Sequence, residues 1–287
     1  MASWITGGIE SLRCHPNKLS RERRIVRTAL CASLMIILVA IGSGAARPKS
    51  PPDPLIEPKI RALFDQPREV IRTVLPPRPD DSGQMGVVRC FYYPDFTVKE
   101  LDYGEHGDLA VSVTRASSGA AEPKCGRQND PGEVALAGGS GGYLIGVKEA
   151  FVYIVSTLGA DTTPFAIYDG RTGKKLYNDQ SSLDSPKQLS VEDGVLALTY
   201  VHGAQAGCSI LLGGQTCWAQ FARDAHLPQP IAKLPPPILA CEAGYAASPV
   251  SSRATPSVIF YEVAMTLDKK GQAKILSRGA ISCGTQG

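Results

Sequence analysis

Phe165-Ala166-Ile167-Tyr168-Asp169-Gly170-Arg171-Thr172-Gly173-Lys174-Lys175-Leu176-Tyr177 is the stretch on which the fold class turns. An alternating apolar–polar run enters a turn rich in Asp, Gly and Thr, and a second run leaves it. Period-two alternation puts successive side chains on opposite faces of a strand, and Gly170 and Gly173 can supply the positive φ of a tight hairpin. Outward from this hairpin the same period recurs from Met85 onward. It predicts strands at Val87–Tyr93, Thr97–Leu101, Leu109–Thr114, Tyr143–Val147, Phe151–Ser156, Pro164–Tyr168, Lys175–Tyr177, Gln188–Val191, Val195–Val201, Ser257–Met265 and Ile275–Ile281. These runs are rich in Val, Ile, Tyr and Phe and are bounded by Gly, Asp, Asn and Pro. No helix-period segment of 12 or more residues competes with them. The expectation is an all-β domain of antiparallel sheets, as a sandwich, a barrel or a small propeller-like arrangement.

Two further organisational units precede it. Residues 47–84 form a linker: nine of the 22 prolines fall between positions 47 and 80. Proline removes a backbone donor and fixes φ, so this stretch predicts a stiff, extended spacer. Two short pieces within it, Ile60-Leu63-Phe64 and Val70-Ile71-Val74-Leu75, have the spacing of one or two helical turns each. Residues 1–46 carry Arg21, Arg23, Arg24 and Arg27 directly before the apolar run Ala29 to Ile41, followed by Gly42-Ser43-Gly44-Ala45-Ala46. A basic start, an apolar middle and a small-residue exit make a secretory signal. The run of 13 residues, or 18 with the small residues added, falls short of the about 20 that a bilayer span requires. Cleavage after Ala45 or Ala46 is the preferred reading, with an uncleaved anchor helix as the alternative, in which case residues 29–46 are the only membrane contact. The domain then occupies residues 85–287.

Composition excludes several classes. The hydrophobic fraction of 43% and charged fraction of 20% are those of a globular chain. Residues 1–46 hold six basic and two acidic side chains; removing them from the totals of 30 and 27 leaves 24 and 25, so the rest of the chain carries a net charge of −1. Without a dense positive field to neutralise phosphates, nucleic-acid binding is not expected. Of eight cysteines, Cys14 and Cys31 belong to the leader. An even six remain, Cys90, Cys125, Cys208, Cys217, Cys241 and Cys283. In an exported domain this predicts disulfides, and chain proximity suggests Cys90–Cys125, Cys208–Cys217 and Cys241–Cys283, the middle pair joined across a turn at Gly213-Gly214. A structural metal is not expected: there is no Cys-x-x-Cys pair, and His202 and His226 stand at no ligand spacing from the cysteines. No cofactor motif is present.

Candidate chemistry is sparse. Gly138-Gly139-Ser140-Gly141-Gly142 has the form of a nucleophile pentapeptide, but a strand-like run follows it where a helix is required. His202 or His226 with Asp169 would be needed to complete a triad. Asp102, Glu105, His106 and Asp108 form a small acidic cluster around one histidine, set among turn glycines. Asp169 could face a cation, but a turn aspartate is the simpler role. Phe91-Tyr92-Tyr93 predicts core packing beside Cys90, with an exposed ring as the alternative. The five prolines between Leu227 and Leu239 predict a polyproline-like crossing. No catalytic, cofactor or metal residue is assigned.

The hairpin at 165–177 resembles the outer hairpin of a quinoprotein-type β-propeller blade, although no repeat at a fixed period accompanies it. Together with Cys90-Phe91-Tyr92-Tyr93-Pro94-Asp95-Phe96-Thr97-Val98-Lys99-Glu100-Leu101-Asp102, it also resembles exported Gram-negative proteins without an assigned activity. That resemblance implies a periplasmic or envelope location and supplies no catalytic residue. The expected function is a non-catalytic extracytoplasmic module binding an envelope protein or glycan, or serving as a structural part of the envelope. An exported hydrolase using Ser140 or the His106 cluster is the alternative.

Overall fold

The computed structural model describes residues 57–77, 85–102, 109–116, 124–136, 142–156, 162–182, 184–248 and 252–285. The leader, Ser140 and His106 lie outside them. Among the described residues thirteen strands form two antiparallel sheets that pack as a sandwich, as the alternation predicts.

The smaller sheet runs in chain order: β1 (Glu69–Leu75), β2 (Gly86–Tyr92), β3 (Phe96–Asp102), β4 (Ala110–Arg115) and β5 (Val134–Ala135). Alternation along β3 sends Phe96 and Val98 to one face, where they join Val111, Val113 and Leu136 in a core shared with Leu144, Val147, Val152 and Ile154 of the larger sheet. The opposite face gathers Leu75, Val88, Cys90 and Tyr92. Residues near Cys125 cover that face through the Cys90–Cys125 bond. Lys99 is buried there and its ammonium lies 2.5 Å from the Glu133 carboxylate, so the charge is matched inside the fold. Between the sheets, Glu100 accepts from Arg89 at 3.0 Å and from the Leu144 amide at 3.2 Å. Burial nevertheless pushes the Glu100 carboxyl above its usual value, against the pull of Arg89.

The larger sheet contains β6 (Tyr143–Lys148), β7 (Phe151–Val155), β8 (Thr162–Asp169), β9 (Lys175–Ser182), β10 (Gln188–Glu192), β11 (Val195–Gln205), β12 (Ser257–Leu267) and β13 (Ala273–Thr285). Its order is β13-β12-β11-β9-β8-β7-β6, with β10 also paired to β11. The quoted hairpin is β8–β9, and Asp169 ties its turn by accepting the Arg171 and Thr172 amides at 2.8 and 3.1 Å. One junction is thin: β9 meets β11 through the single pair Ser181–His202.

Among the described residues four helices cover the other face of the larger sheet: α1 (Pro58–Arg61), α2 (Ile210–Asp224), α3 (Gln229–Ala232) and α4 (Ile238–Ala247). Ile60, Phe64, Ile210, Trp218, Phe221, Ile231 and Tyr245 enter one core with Phe165, Ile167, Leu198, Tyr200, Val263 and Met265. Four expectations are corrected here. A helical segment longer than 12 residues does occur, since α2 spans 15 residues with a kink inside it. Val70-Ile71-Val74-Leu75 is the strand β1, because pairing with β2 is available to it and a lone helical turn is not stable by itself. Gly213-Gly214 is no strand turn but lies inside α2, where Gly214 (φ 50°) kinks the helix and Ser209 caps it by accepting the Leu212 amide. The proline-rich crossing at 227–239 includes α3 and opens α4.

The three suggested cysteine pairs are at bonding distance, with Cα–Cα separations of 5.7, 6.0 and 4.7 Å. Each fixes a different part: the cover of the smaller sheet, the start of α2, and α4 against β13. Each such bond contributes about 2–4 kcal/mol. Among the described residues no helix is long and apolar enough to cross a membrane.

Candidate functional site

On β9, Tyr177 and Asp179 are two residues apart and share a face; on β11, Tyr200 and His202 do the same. The register sets Thr163, Ser181, His202, Tyr261 and Ile281 in one row across β8, β9, β11, β12 and β13. This row and its neighbours bring four polar side chains together at the thin β9–β11 junction. Asp179 Oδ1 accepts from His202 Nδ1 at 3.1 Å and from the Gln180 amide at 2.8 Å. Asp179 Oδ2 accepts from the Tyr200 hydroxyl and, at 3.2 Å, from Tyr177. The two hydroxyls are 2.9 Å apart.

Aromatic rings wall the cluster. His202 stacks on Tyr261 at 4.7 Å, Phe165 stacks on Tyr153 at 4.9 Å, and Tyr200 meets Phe165 edge-on at 5.0 Å. Burial, reinforced by the Asp179 charge, pushes the Tyr177 hydroxyl up to about 12 and drives Tyr200 and Tyr261 upward as well. These hydroxyls are donors throughout the physiological range. Burial alone would raise Asp179, but the His202 bond and charge, the Tyr200 bond and the Gln180 amide outweigh it and hold the carboxyl below its usual value. Among the described residues Arg278 Nε is buried without a hydrogen-bond partner.

Chemically the arrangement does one of two things. In the neutral tautomer that gives Nδ1–H to Asp179, His202 would present Nε2 as an acceptor, the orientation of a general base. The carboxylate is also saturated by donors from two strands, which makes it a cross-link over the weakest ladder of the sheet. Among the described residues no group of three or more His, Cys, Asp and Glu side chains could hold a metal.

The other sequence candidates are not gathered here. Asp169 is a turn residue at the β8–β9 hairpin. Asp102 lies at the end of β3, 3.7 Å from Arg89. His226 is exposed in a turn after α2. Tyr92 and Tyr93 are buried, and Tyr93 stacks on Phe96 at 5.5 Å, so the aromatic run is core. Ser140 and the His106 cluster fall outside the described residues. The Asp179 network was missed, although Tyr-x-Asp on one strand and Tyr-x-His on another, each with polar groups at core-facing parity, is a signal that alternation carries.

No family model matches the chain, and neither a curated protein nor a solved structure matches it.

Proposed function

We infer that the chain is a non-catalytic extracytoplasmic module that binds a protein or another component of the cell envelope, in a Gram-negative cell. The observation that carries this is the stapling. All six cysteines downstream of the leader stand in pairs, each locking a separate part of a two-sheet scaffold. Such bonds persist in oxidising compartments. A disulfide-bonded all-β domain is compatible with a periplasmic or extracellular site, and the basic, apolar and small-residue leader supports export. The test is fractionation of cells expressing the full chain, followed by thiol titration of the recovered protein. Recovery outside the cytoplasm without free downstream thiols supports the reading; a reduced cytoplasmic protein overturns it.

A second reading, an exported hydrolase, draws on the His202–Asp179 hydrogen bond of 3.1 Å rather than on Ser140 or His106. A hydrolase-substrate screen on the purified protein decides it. Activity that disappears in His202→Asn establishes an enzyme, and no turnover of any substrate class removes this reading.

A further inference from the structure

A sheet edge is a row of unpaired backbone groups, and proteins normally blunt it. This fold blunts most of its edges. β13 carries two register shifts against β12. β6 is capped by the Asp65 amide, which donates to the Val147 carbonyl at 2.8 Å, and by the Asp65–Lys148 pair. β5 is two residues long, and the short β10 exposes Gln188, Ser190 and Glu192. β1 is the exception. It is seven residues long, pairs with β2 without a shift in register, and has no backbone partner on its outer side among the described residues.

Its exposed face has a definite pattern. Val70 is opposite Phe91, Arg72 opposite Arg89, and Val74 opposite Val87. Val70 and Val74 are 42% and 50% exposed. Two arginines directly across a ladder repel one another. Arg89 is compensated on its far side by Glu100 at 3.0 Å and Asp102 at 3.7 Å. Arg72 is exposed, and among the described residues it has neither ion pair nor hydrogen bond. The face therefore offers apolar, cationic and apolar positions in succession along an open edge.

Resting on the binding-module reading, we propose that β1 docks an extended segment of a partner protein by strand addition, and that this segment places an acidic residue between two apolar ones at alternate positions. Main-chain bonds to the β1 edge supply affinity, while Val70, Arg72 and Val74 select the sequence. A second copy of this chain is the wrong occupant. Antiparallel pairing of β1 with itself about Arg72 sets Arg72 against Arg72 and lines four arginines in one row, with no carboxylate added on that face.

The test uses the full chain and the capped peptide Ser-Thr-Val-Thr-Glu-Thr-Val-Thr-Ser, with a counterpart carrying Lys in place of Glu. The expected result is a set of amide shift changes and slowed exchange at Glu69–Leu75, with the Glu peptide preferred. Arg72→Glu reverses that preference by about fivefold, the size of an exposed charge pair of about 1 kcal/mol. Arg72→Gln, which adds no new charge, abolishes the preference without reversing it. Binding indifferent to peptide charge, shifts confined to other strands, or no binding overturns the proposal. So does a concentration-dependent dimer that Arg72→Glu alters. An envelope protein cross-linked to the helical face or to β13 ends this inference while leaving the binding-module reading intact.

Discussion

Replacing Asp179 by alanine tests whether the cluster is a structural tie. The carboxylate accepts four hydrogen bonds, from His202, Tyr200, Tyr177 and the Gln180 amide. On its removal one tyrosine hydroxyl can turn its proton to the other, 2.9 Å away, and the second hydroxyl proton loses its acceptor. Leaving such a donor unsatisfied costs about 1–3 kcal/mol, and losing a charge-assisted bond costs about 1.5–3 kcal/mol. Because the Asp179 side chain is 25% exposed, water recovers part of this, and the expected loss is about 3 kcal/mol. Asp179→Asn keeps an acceptor for Tyr200 and should cost about 1 kcal/mol. Urea unfolding followed by tyrosine fluorescence reads both, and a cycle with His202→Ala should show a coupling of about 1 kcal/mol. The folded carboxyl titrates below its unfolded value of 3.8. Its stabilisation is therefore present at neutral pH and fades as pH falls from 3.8 through the lower folded value, and Asp179→Ala should flatten that acid limb. A cost under about 0.5 kcal/mol for Asp179→Ala would refute the idea that the network closes the junction.

Glu100 titrates in the opposite sense. Burial raises its folded value above 4.5, so the stability it allows is full below 4.5 and declines as pH rises through the folded value. Glu100→Gln should remove that decline in a series of urea midpoints against pH. Gly244→Ala should destabilise by about 3 kcal/mol or more, since its Cβ would overlap the Cys283 carbonyl oxygen, and by holding α4 away from β13 it should free Cys241 and Cys283 to thiol reagents. Denaturing, non-reducing thiol titration of the unaltered domain should find none of the six downstream cysteines free. Far-ultraviolet circular dichroism should report sheet with a minor helical part, and a dominantly helical spectrum would contradict the fold.

The strands were legible because a half-buried strand must alternate, and β2, β8, β11 and β12 do so with few breaks, while β7, buried at every position, shows as a continuous apolar run. β1 was not, because Val70, Ile71, Val74 and Leu75 fit a helical turn as well as a strand, and neighbouring prolines argued against a sheet. Only its pairing with β2 decides the matter, and pairing is a non-local fact. α2 was hidden by Gly213-Gly214, which reads as a turn. Yet Ile210, Cys217, Trp218 and Phe221, all buried, keep helical spacing through the kink. α4 has only Glu242 as a charged side chain and so lacks the polar stripe that reveals a period. Chain proximity points to the three cysteine pairs that lie at bonding distance, but Cys208 and Cys217 are joined across the first turns of α2 and not across a strand turn at Gly213-Gly214. The Asp179 network draws on β9 and β11, whose pairing at one residue no local pattern encodes.

The order of the staples along the chain also bears on assembly. Cys90 bonds Cys125, Cys208 bonds Cys217, and Cys241 bonds Cys283, so the pairs follow one another without nesting or crossing. A chain threaded from its N-terminus into an oxidant meets its cysteines in that sequence, and each odd arrival is joined by its native partner next. Oxidation in order of emergence then yields the native set directly, with no wrong bond to be undone.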